Sequence, residues 1–124
     1  MKPTFVLPAK DNFDAILAMS RSIKRGTDIP FDLNHDIAKY LGVPLDNYTS
    51  TMDGALKLRD IIYAGYDYVN LDMREYDDER GLVFLMKIEN QYGESSGDHH
   101  TRPGALLDAL LSQVVYEMET ADED

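Results

Sequence analysis

The sequence predicts an α+β protein of one domain, with a small antiparallel sheet containing one clear hairpin, packed with about four helices. Two patterns carry this prediction. Apolar residues recur at helical spacing near 11–26, 33–42, 51–64 and 103–119, while between 66 and 90 the period drops to two and is interrupted by the turn-forming "DDERG". No repeat or linker composition divides the chain. The expected organisation is an N-terminal helix and extension over 1–32, an α/β core over 33–119 and an acidic tail over 120–124.

In "DNFDAILAMSRSIKRG", Phe13, Ile16, Leu17, Ser20 and Ile23 form one helical face, with Asp11 or Asn12 as cap and Gly26 as stop. Proline then breaks the helix in "TDIPF". A second helix follows in "DLNHDIAKYLG", its apolar side made by Leu33, Ile37, Tyr40 and Leu41, with Gly42 ending it and His35 exposed. "NYTSTMDGALKLRDIIYAG" starts a third, in which Ser50 is expected as N-cap with Asp53 completing a capping box. Met52, Leu56 and Ile62 supply its apolar stripe, widened by Ala55 and Leu58, and Gly65 ends it.

In "YDYVNLDMREY", Val69, Leu71 and Met73 point to one face, while Tyr68, Asn70, Asp72 and Arg74 point to the other. "LVFLMKIEN" resumes the alternation, and being apolar on both faces for half its length it is expected to be central in the sheet or covered on both sides. The segment "QYGESSGDHHTRPG" reads as a long polar connection. The last helix starts around Pro103 and buries Leu107, Leu110, Leu111, Val114 and Met118. Leu106 and Val115 lie off that stripe, which leaves a homo-oligomer contact and wider burial within one domain as alternatives.

Acidic residues outnumber basic ones 23 to 12, for a formal net charge of −11. Such a field repels phosphate backbones and anionic lipid, so direct nucleic-acid and membrane binding are not expected. There is no cysteine, which excludes disulfides and thiolate chemistry and fits a reducing compartment, so a cytoplasmic location is expected. The N-terminal segment carries the short apolar piece Phe5, Val6 and Leu7 and then meets Pro8 and charges, so a signal peptide is not expected either.

The chemistry-bearing residues cluster in "SGDHHTRPG". Asp98, His99 and His100 are adjacent, and neighbouring side chains diverge, so a metal site is not expected. Arg102, Thr101, His99 and His100, by contrast, face the positive end of the last helix's dipole, where a phosphate-bearing ligand would sit. A second candidate surface is acidic: Asp72, Glu75, Asp77, Asp78 and Glu79, suited to a basic protein partner. No nucleophile elbow or shifted carboxylate pair is written in the sequence, so neither catalytic residues nor a cofactor are expected.

Ile37, Ala38, Leu41 and Gly42, followed by Tyr48, Thr49, Ser50, Asp53, Ala55, Leu56 and Leu58 and later by "PGALLDALL", resemble the phage ABA sandwich domain family of small phage and prophage proteins. The resemblance covers about 33–115 and leaves out the first helix. The chain also lacks the tryptophan that members often carry at the strand entry, where "YAGYDYVNL" stands. The resemblance implies an α/β/α-type sandwich of phage origin working in a bacterial cytoplasm. It brings no activity with it. The expected function is a non-enzymatic phage protein, acting in counter-defence by sequestering a nucleotide-like anion. The alternatives are an acidic inhibitor or accessory protein acting on a basic host partner, and a phage structural or morphogenesis domain.

Overall fold

A single 3-10 turn, Lys10–Asn12, leads into helix α1, Phe13–Lys24, in the computed structural model, which describes residues 7–24, 33–79, 81–91 and 93–121. Of the face read from the sequence, Ile16, Ser20 and Ile23 are buried and Phe13 and Leu17 partly so, and Met19 beside them is buried as well. The expected stop at Gly26 and the break in "TDIPF" lie outside the described residues. Helix α2, Leu33–Leu41, buries Leu33, Ile37 and Leu41, and it ends at Gly42, whose φ of +68° is open to glycine at little cost. His35 is exposed, as expected.

Helix α3, Met52–Ile62, begins one residue later than the expected cap. Thr51, not Ser50, is the N-cap: its hydroxyl accepts from the Gly54 N–H at 3.0 Å, while the Ser50 N–H donates to the Asn47 side chain. The loop before the helix accounts for the shift. Asn34, buried on α2, accepts the Tyr48 backbone N–H at 2.9 Å, and the Tyr48 phenol donates to the Pro44 carbonyl. This ties the loop down onto Gly54, where a Cβ would fall 2.0 Å from the Asn47 carbonyl oxygen.

Strands β1, Val69–Asp78, and β2, Gly81–Asn90, form the expected hairpin, although β1 runs through Asp77 and Asp78, which the sequence suggests belong to the turn. The segment read as a polar loop contains a third strand, β3, Gly93–His99. All pairs are antiparallel in the order β1-β2-β3, which places β2 at the centre as its composition predicts. Helix α4, Arg102–Ala121, closes the chain.

β3 escapes hydrophobic pattern-reading because its helix-facing residues are Ser95, Gly97 and His99 rather than aliphatics. At Gly97 the helix lies directly on the strand, and a Cβ there would sit 2.4 Å from the Ala109 nitrogen. β3 alternates with the period of a strand, but in small and polar residues.

Val69, Leu71 and Met73 pair with Asn90, Ile88 and Met86, and this face joins Leu106, Leu107, Leu110 and Leu111 of α4 in the core. Leu106 is wholly buried, because α4 is the central helix, packed on α1, α3, β2 and β3. Of the two residues off the predicted stripe, Leu106 is thus buried within the domain and Val115 is partly buried against the core. Asn70, Asp72, Arg74, Lys87, Glu89, Glu94 and Ser96 face outward and are exposed. The α+β class is as predicted. The described helices cover one face of the sheet, and a third layer on its other face is not among the described residues.

Candidate binding surface at the helix entrance and the hairpin edge

Antiparallel register sets Glu75, Phe84 and His99 side by side across the three strands, on the helix face at the end where α4 begins. The four residues read as an anion site converge here, and so does one of the acids read as a separate surface. The Arg102 guanidinium lies 5.1 Å from the centre of the Phe84 ring, and its Nη2 donates to Glu75 Oε1 at 3.3 Å. Both side chains are more than half exposed, so the pair is worth little in water. It nevertheless gives the arginine a carboxylate before any ligand arrives.

The other donors are also engaged. Thr101 is the N-cap of α4: its hydroxyl accepts from the Gly104 N–H at 3.1 Å and lies 3.0 Å from His99 Nδ1. The Thr101 backbone N–H donates to the same Nδ1 at 3.0 Å, which assigns that nitrogen as an acceptor and puts the ring proton on Nε2. His99 is buried against Gly104, where a Cβ would come within 2.3 Å of its ring. His100 is half-buried and donates through Nδ1 to the Leu82 carbonyl at 3.3 Å. Pro103 has no N–H, and the Ala105 N–H already bonds the Thr101 carbonyl. The first turn of α4 is thus capped by the protein itself.

The acidic residues divide by strand parity. Asp72 and Asp78 lie on the outer face, Glu75 and Asp77 on the helix face, and Glu79 in the turn; all five are exposed. Asp72 pairs with Arg74 at 3.2 Å and, nearby on the outer face, Lys87 pairs with Glu94 at 3.3 Å. The Tyr76 phenol reaches across the central strand to Asp98 at 3.2 Å, and Val83, its partner on β2, is buried.

Asp108 was not singled out by sequence reasoning. It is buried on α4, and its Oδ2 accepts the backbone N–H of Asp98 at 3.1 Å; one turn of contact further on, Ser95 donates to the Ala109 carbonyl at 3.2 Å. An acid inside the apolar run "LLDALL" was the available signal. The first bond takes up an outward backbone N–H of β3, and the second ties a side chain of the strand to the helix.

Among the described residues, no group of three or more His, Cys, Asp or Glu side chains is placed to hold a metal ion, and the His99 and His100 rings lie 6.0 Å apart at 65°. No described helix is long and apolar enough to cross a membrane. Near the start of the sheet, Tyr66 donates to Glu117 and Tyr68 is exposed beside β1. Open grooves of about 410 and 420 Å³ beside α1 contain none of these candidate residues. Compared with family models, curated proteins and solved structures, the chain matches none of them.

Proposed function

We propose that this chain is a non-enzymatic binding protein whose acidic hairpin engages a basic surface on another protein. The observation that supports this reading is the exposure of Asp72, Asp77, Asp78 and Glu79 along β1 and its turn, on a chain of net charge −11. Opposed charges of this kind steer encounter and select partners more than they add affinity. The phage origin implied by the resemblance makes the partner a host protein in the bacterial cytoplasm, with the chain as inhibitor or accessory factor.

Sequestration of a nucleotide-like anion is the second reading, motivated by the convergence of Arg102, Thr101, His99 and His100. It requires Arg102 to exchange Glu75 for phosphate, and the helix N-terminus has few donors left to offer. The geometry favours the protein partner. Capture of host protein on the immobilised chain tests this, with a variant combining Asp77→Lys, Asp78→Lys and Glu79→Lys as the comparison. A partner retained by the native chain, released as ionic strength rises and absent from the variant is the expected result. Retention that ignores both salt and charge reversal contradicts it.

A further inference from the structure

The two edges of the sheet differ. β3 is held by α4, which takes the outward Asp98 N–H on Asp108, accepts the Ser95 hydroxyl on the Ala109 carbonyl, and approaches so closely at Gly97 that no Cβ fits. β1 is the other edge. Among the described residues, no hydrogen bond reaches the backbone of 69–75 from the side away from β2. β1 and β2 pair residue for residue from Val69↔Asn90 to Asp78↔Gly81, with no bulge, and no proline interrupts β1. Long, regular, uncovered edges are templates for another strand, and proteins ordinarily blunt them. Among the described residues, the guard at this edge is charge.

We infer that the β1 edge accepts an extended basic segment of the partner as a fourth strand of the sheet. This rests on the proposed function, since it names the way the acidic hairpin is engaged. Backbone pairing supplies the contact, and the side chains set the chemistry. A strand laid beside β1 places alternate residues next to Val69, Leu71 and Met73, which are only half-buried and gain cover from apolar neighbours. The residues between face the outer side, where Asp72 is already paired with Arg74, and the exposed acids Asp77, Asp78 and Glu79 cluster at the hairpin end. The fitting occupant presents apolar residues to Val69, Leu71 and Met73 and carries lysine or arginine where it passes the hairpin end. A second copy of this chain is the poorer occupant, because it brings another net charge of −11 to the same edge.

The test uses the full chain and three fluorescein-labelled peptides of about ten residues, the length of a typical longer strand. One alternates valine with lysine, one is its fully N-methylated form, and one alternates valine with glutamate. The valine–lysine peptide is expected to bind by fluorescence anisotropy and to slow amide hydrogen exchange over 69–75. The N-methylated form, with the same charge but no N–H to donate, is expected to bind about tenfold more weakly or worse, as the loss of a few net hydrogen bonds implies. Equal affinity for the N-methylated form overturns the strand-pairing inference and leaves charge-driven docking intact. So does exchange slowed only outside β1. A stable dimer protected over 69–75 overturns it in favour of a second copy. Equal binding of the valine–glutamate peptide overturns both the inference and the function on which it rests.

Discussion

Gly97 is the point where a single atom decides the packing of two elements. A methyl group there would stand 2.4 Å from the Ala109 nitrogen and 2.6 Å from the Asp108 Cβ, and backbone cannot yield as the end of a flexible side chain can. Gly97→Ala is expected to cost about 3 kcal/mol, the upper part of the overpacking range, read from the urea unfolding midpoint. Thr101→Ala removes the cap on Gly104 and is expected to cost about 1 kcal/mol by the same measurement, with Thr101→Ser close to the native chain. Tyr63 carries a pH signature. Burial first, and the Glu117 carboxylate second, push its phenol above the usual value of about 10. The neutral phenol is the form the fold favours, so its contribution is complete below about pH 10 and is lost as pH rises toward the folded-state value. Thermal unfolding is therefore expected to fall between about pH 8 and about pH 11 by less in Tyr63→Phe than in the native chain.

The helices and the β1–β2 hairpin were legible because their periodicities are written in aliphatic residues, as at Ile16, Met19 and Ile23 or at Leu71, Met73, Met86 and Ile88. β3 was not, because a strand under a closely seated helix has no space for the side chains that pattern-reading counts, and Ser95 and Gly97 look like loop chemistry. The candidate residues at the entrance to α4 were found, but not their partners. Glu75 is 27 positions from Arg102, and only the register of β1 against β2 and β3 brings the two together. That pair is exposed on both sides, so Arg102→Ala is expected to lower stability by less than about 1 kcal/mol in a thermal melt. Leu110→Ala, in the centre of α4, is expected to cost about 3 kcal/mol. The contrast separates a residue that decorates the helix entrance from one that holds the layers together.

For the molecule as a whole, the net charge of −11 and the self-contained capping of α4 both act against an anionic ligand. Isothermal titration with cyclic nucleotides and cyclic ADP-ribose relatives is expected to give flat heats; a saturable exotherm that disappears in Arg102→Ala would restore the sequestration reading. The central position of α4 also bears on how the chain reaches its native state. β3 offers almost no apolar surface of its own, so little rewards its pairing with β2 until the helix that follows it arrives. The last strand and the last helix should therefore order together and late, after the β1–β2 hairpin, and open together as one cooperative unit. Native-state hydrogen exchange would then find the amides of β3 and the middle of α4 sharing one opening free energy, and a nascent chain ending at His100 would leave its central strand with a second uncovered side.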